Sequence, residues 1–157
     1  MIAINEDACA SAYWRPGRIV IGAMARTVHR AHIGTEWWTL PASATHVELG
    51  SAIRRALVAF QADAPHPDFR SAEWKAQGKA RLRAAGVRSE RHYMDGSKLV
   101  HVNASGDGLA FTPTRNGGTT GPNRGYHKLA ALPATVSLAV DDDRVGMALA
   151  EAWACCT

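Results

Sequence analysis

Leu49-Gly50-Ser51-Ala52-Ile53-Arg54-Arg55-Ala56-Leu57 and Val145-Gly146-Met147-Ala148-Leu149-Ala150-Glu151-Ala152-Trp153 decide how the rest of this chain is read. Laid side by side, both run apolar, Gly, x, Ala, apolar, x, x, Ala, apolar. Apolar residues three and four apart line one face of a helix, and that period alone would align the apolar positions. The shared glycine and the two shared alanines go beyond it. Each segment follows several strand-like stretches. The expected fold class is therefore α+β: antiparallel β-sheets with two or three helices, built as a duplicated strands-then-helix unit.

Working outward, the first helix has a clear start. Thr45 and Glu48 have the spacing of a reciprocal capping box, and Leu49, Ile53, Ala56, Leu57 and Phe60 form its apolar stripe. Ala64-Pro65-His66-Pro67 stops it. A second helix is predicted from about Asp68 to Ala85, ending at Gly86, with Trp74, Leu82 and Ala85 on one face and Lys75, Lys79 and Arg83 beside it. The acidic trio Asp141-Asp142-Asp143 opens the terminal helix, where negative charge suits the exposed amides. Ahead of the first helix, Ala12 to Trp14, Arg18 to Ile21, Thr27 to Ile33 and Glu36 to Leu40 read as a meander broken at Arg15-Pro16-Gly17. Further on, Ser89–Met94 and Ser97–Asn103 flank Asp95-Gly96 as a predicted hairpin. Leu109–Thr112 and Thr135–Val140 are further strands, and Thr114 to Gly125 is a glycine-rich loop.

Composition narrows the function classes. At 157 residues the chain is read as a single domain, 1–157, long enough to bury a core without disulfides. Alanine is abundant (29 by count on the sequence), so the few large apolar side chains, five tryptophans among them, carry the core. No apolar run approaches the ~20 residues that span a bilayer. The first residues carry acid where a secretory signal carries base, so the expected location is cytoplasmic. Three cysteines, Cys9 and the adjacent Cys155 and Cys156, give no disulfide framework and no paired metal spacing. Buried, reduced thiols are expected in the last helix, with neither metal nor cofactor.

The net charge is +4, and the window Arg54 to Arg91 alone carries nine bases against four acids. Such a concentration attracts nucleic acid or an acidic protein surface, or simply solvates a helix face. Trp37, Trp38, Tyr93 and Tyr126 are candidate stacking platforms for single strands. Adjacent Trp37 and Trp38 on a strand point to opposite faces, and helices on both faces, or a loop over the outward ring, would account for both. Gly117, Gly118, Gly121 and Gly125 lead to Tyr126-His127-Lys128 without the Gly-Lys of a phosphate-binding loop, so a connection between strands is expected. No Gly-x-Ser-x-Gly elbow and no useful carboxylate pair is present. No catalytic residue is assigned.

From Arg83 onward the chain resembles the immunity proteins (CdiI) of bacterial contact-dependent growth inhibition systems. The likeness is carried by Leu82-Arg83-Ala84-Ala85-Gly86-Val87-Arg88-Ser89, Tyr93-Met94-Asp95-Gly96-Ser97-Lys98 and Val100-His101-Val102, then by Phe111-Thr112-Pro113-Thr114-Arg115-Asn116-Gly117-Gly118 and Val145-Gly146-Met147-Ala148-Leu149. The resemblance implies a non-enzymatic protein of Whirly-like fold. Its partner would be the cognate CdiA C-terminal toxin domain, often a nuclease, with the immunity protein a monomer or small homo-oligomer. Toxin-binding residues expected on this basis are Arg115, Asn116, Arg124, Tyr126 and His127, with Glu36 and Asp95 as local acids. The competing expectation is a single-stranded nucleic-acid-binding module using the Arg54–Arg91 region.

Overall fold

A computed structural model describes residues 3–129 and 134–157. Strands β1 (Cys9–Arg15), β2 (Arg18–Thr27) and β3 (His32–Pro41) precede helix α1 (His46–Val58), and a short strand β4 (Gln61–Ala64) follows it. Helices α2 (Ala72–Ala84) and α3 (Glu90–Met94) come next. Strands β5 (Lys98–Ser105), β6 (Gly108–Asn116), β7 (Tyr126–Lys128) and β8 (Ala134–Ser137) lead to the last helix, α4 (Asp142–Ala154). The strands form one sheet of order β3-β2-β1-β5-β6-β7, with β8 also on β6. All pairings are antiparallel except the short parallel one between β4 and β2. No helix among the described residues is long and apolar enough to cross a membrane.

One face of the sheet carries the main core. Strand alternation sends Ala10, Ala12, Ile19, Ile21, Ala23, Val100, Val102, Leu109 and Phe111 to that side, against Leu49, Ile53, Leu57, Val145, Leu149 and Trp153 of α1 and α4. The many alanines let the helices approach the sheet closely, and the indole of Trp153 donates to the Ala12 carbonyl at 3.1 Å. Both helix starts form as expected. Thr45 Oγ1 accepts from Glu48 N at 3.2 Å while Glu48 Oε2 accepts from Thr45 N at 2.7 Å, and Asp141 Oδ1 accepts from Arg144 N at 2.9 Å.

The two helices that open the sequence argument cross at their shared glycine. A Cβ at Gly50 would collide with the Asp142 carbonyl, and one at Gly146 with the His46 carbonyl. Each glycine thus sits against the backbone four residues before the other. A duplicated unit goes further than this packing: three strands precede α1, four stand between α3 and α4, and β4, α2 and α3 separate the halves.

Four expectations need correction. The expected strand Thr27 to Ile33 is interrupted: Thr27 ends β2 and His32 begins β3, and between them Val28 to Ala31 make a hairpin turn in which Thr27 exchanges hydrogen bonds with Ala31 and Arg30 takes a φ of +63°. Glu90–Met94 is α3, capped by Ser89 Oγ accepting from His92 N at 3.2 Å, which makes four helices among the described residues rather than two or three. The Thr114–Gly125 loop begins only after Asn116, because β7 extends the pairing of β6 to that residue. Cys155 is exposed, whereas Cys156 and Cys9 are buried; all three are free thiols.

Candidate functional site

The second face of the sheet is covered at one end only. Tyr13, Val20 and Leu99 project there and pack under Ala85 of the α2 terminus and Tyr93 of α3, with Trp37, Leu82 and Tyr126 around them. Two arginines of the β1–β2 turn fasten this layer. Buried Arg15 donates from Nε to the Tyr93 carbonyl at 2.8 Å and from its Nη atoms to the His92 and Ala85 carbonyls. Arg18 Nη1 and Thr39 Oγ1 both donate to the Ala84 carbonyl, at 3.2 and 2.9 Å. Cationic donors thereby meet the unpaired carbonyls at the end of α2.

The rest of α2 stands off the sheet. None of its thirteen residues is buried, and Gly78, at its middle, faces open space. Between helix and sheet lies a groove of about 300 Å³ walled by Tyr13, Trp37, Trp74 and Arg81. Trp37 lies flat over Gly22 and Gly34, where any side chain would strike its ring. Arg81 holds Glu90 at 2.5 and 2.6 Å and places its guanidinium 4.4 Å over the Tyr93 ring. Past Ser11, Met24 and His32 the groove continues as a trough of about 320 Å³ with Cys9, His101, Asn103 and Lys128 on its floor and wall.

Burial sets the protonation of several groups on this open face. Burial pushes the Cys9 thiol up to about 11, despite Lys128 and Arg26, so the nucleophilic thiolate is disfavoured. Burial lowers His101 to about 4, helped by Lys128 and His32, so its imidazole is neutral. Ser11 donates to the Met24 sulfur at 3.4 Å rather than to a base. Desolvation also raises Tyr13 and Tyr93, and the buried Tyr93 hydroxyl has no hydrogen-bond partner among the described residues. No three His, Cys, Asp or Glu side chains gather as metal ligands among the described residues.

The residues expected from sequence fall in three places. Asp95 and Asn116 line a cleft of about 370 Å³ beside Arg91; Asn116 Nδ2 donates to the Met94 and Ser97 carbonyls at 2.6 and 2.9 Å. Tyr126 lies next to it, hydrogen-bonded to Ser97 and 5.7 Å from the Tyr13 ring. Both side chains thus hold α3 and the start of β5. Arg115 and His127 pair across β6 and β7, and His127 Nε2 contacts the Asn123 and Arg124 carbonyls at 2.9 and 3.1 Å. Arg115 and Arg124 are exposed. Glu36 stands on β3, at the opposite edge of the sheet.

The basic window does not form one patch. Arg54 on α1 faces the α4 side, where Nε meets Asp142 at 2.8 Å and Nη1 the Leu138 carbonyl at 3.1 Å. Arg55 lies 4.8 Å over Trp38 on that same side. Only the residues of α2 and its flanks lie over the second face. Of the stacking candidates Tyr93 is wholly buried, and Trp37, Trp38 and Tyr126 pack against a core. The roles of Arg15, Arg81 and His101 were not legible in the sequence, because partners distant in the chain define them.

No family model matches the chain, and no curated protein matches it. Solved structures do. The chain is similar over its whole length to a protein of unknown function from Neisseria meningitidis, with TM-score 0.81, 15% identity, and coverage of 100% of this chain and 99% of that one. It is similar to a chain of the CdiA-CT/CdiI toxin and immunity complex from Yersinia pseudotuberculosis, with TM-score 0.77, 14% identity, and coverage of 99% of this chain and 100% of that one. The α+β fold is shared along the full length.

Proposed function

We propose that this chain is an immunity protein that binds a cognate CdiA C-terminal toxin domain and neutralises it, protecting the producing cell from the cytoplasm. The observation that carries the reading is the whole-chain likeness to a chain of a toxin and immunity complex, met independently by the sequence resemblance in the second half. The open face supports it, offering aromatic walls, charged side chains and a wide trough but no nucleophile paired with a base. The toxin is a nuclease in this proposal, and inhibition is occlusion without chemistry. Exposed Arg115, Arg124, Glu36 and Asp95, with half-buried His127, are proposed contacts. Asn116 and Tyr126 are proposed to act by holding the adjoining surface.

Protection demands nanomolar affinity or better, about −12 kcal/mol, so the complex should survive purification. Co-expression with the toxin domain encoded beside this chain is expected to rescue growth, and the two chains should elute together. Continued killing, with the chain well expressed and eluting alone, overturns the proposal. The single-stranded nucleic-acid reading draws less support, since the basic window divides between two faces and its aromatic candidates are packed.

A further inference from the structure

Helix α2 is difficult to explain by folding alone. It buries no residue, and a helix with little apolar contact gains little from tertiary packing. Its outward side carries Lys75, Lys79 and Arg83 at successive i, i+4 positions, all exposed, and like charges so spaced repel by a few tenths of a kcal/mol per pair. Arg70, Arg88 and Arg91 extend the same exposed surface at the ends of α2 and on α3. The exposed acids among them are Asp68, Glu73 and Glu90, and Glu90 is already held by Arg81.

An apolar anchor stands at the start of this stripe. Phe69 is 50% exposed and sits edge-to-face with Trp74 at 4.9 Å and His66 at 5.2 Å. His29 continues the row at 4.8 Å from His66, and Val28, 57% exposed, adjoins through its amide bond to the Ala64 carbonyl. An aromatic centre beside a charged rim is the anatomy of a protein interface. Successive rings lie at 75°, 89° and 82° to one another. No two neighbouring rings are parallel, so the row does not form one continuous stacking platform for bases. Asp68 and Glu73 within the surface further disfavour phosphates.

We propose that the outer face of α2, with Phe69 as anchor and Lys75, Lys79 and Arg83 as rim, docks onto an acidic protein surface. Resting on the immunity reading, this makes the acidic surface that of the toxin domain. The cations speed encounter, and the phenyl ring slows dissociation.

The test measures association and dissociation rates between the whole purified chain and the adjacent toxin domain at low and moderate salt, with unfolding midpoints recorded alongside. The combined variant Lys75→Glu, Lys79→Glu, Arg83→Glu should slow association on the order of 10-fold or more and flatten its salt dependence. Its midpoint should be unchanged or slightly lowered, since three glutamates repel as three cations do and residue 83 lies in the last turn. The neutral set Lys75→Gln, Lys79→Gln, Arg83→Gln should act in the same direction at smaller size. Phe69→Ala should speed dissociation by about 10-fold. Wild-type rates retained by these variants overturn the docking face and leave the immunity reading standing. Loss of affinity for a single-stranded oligonucleotide, with toxin binding intact, overturns it in favour of nucleic acid. A wild-type chain that forms no complex removes both readings together.

Discussion

Position 101 places a histidine on the floor of the trough, and burial there holds its imidazole neutral down to about 4. In the unfolded chain the same group takes up its proton near 6.5. Between those values the unfolded state binds more protons, so stability falls as pH falls. The contribution is complete above about pH 6.5, declines toward about pH 4 and is flat below it, amounting to about 3 kcal/mol. Denaturant titrations across that range should show the slope in the wild type and a shallower one in His101→Gln. An identical slope in the variant would assign the effect to other groups. Lys128 and His32, which face His101, add to the depression, so neutralising Lys128 should weaken the slope without abolishing it. This histidine's state is not legible in the sequence, because its neighbours come from strands far apart in the chain, β1, β2, β3 and β7.

Helices α1 and α4 were legible because their information is local. Capping residues and apolar stripes lie within a few residues of one another and act as read, although α1 ends at Val58, before Phe60 and the expected stop at Ala64. The reason for the shared glycine was not legible, since it is the carbonyl of the other helix. Gly50→Ala and Gly146→Ala should each lower stability by about 1–3 kcal/mol, by forcing the two backbones apart. Gly78→Ala, whose Cβ would meet only open space, should instead raise it by about 0.5–1 kcal/mol. Chemical unfolding of the three variants checks the contrast; equal effects at all three positions would refute the close crossing. Sequence reading failed where local preference and long-range fit disagree. Tyr93 favours a strand by type and Asp95-Gly96 reads as a hairpin turn, yet Ser89 caps a helical turn and Arg15 clasps its carbonyls from the far end of β1. Thr27 to Ile33 alternates like a strand, but Thr27 closes a turn on Ala31.

At the scale of the molecule, the sheet has one side closed by α1 and α4 and one side left partly open beneath α2. This asymmetry divides the basic window: Arg54 is tied to Asp142 on the closed side, while Lys75, Lys79 and Arg83 face solvent beyond the open one. Charge counted along a chain does not reveal that partition; only the route of the chain around the sheet does. The expected contacts on the β6–β7 hairpin are dispersed for the same reason, with Asn116 and Tyr126 drawn inward and Arg115 and Arg124 left outside. The account's central claim is that the molecule acts by covering another protein. Its most direct test is titration of a fixed amount of active toxin domain with increasing chain. Toxin activity should fall in a straight line to zero at one equivalent and return when the complex is separated. Complete inactivation by a small fraction of an equivalent, progressing with time, would show turnover and contradict the claim.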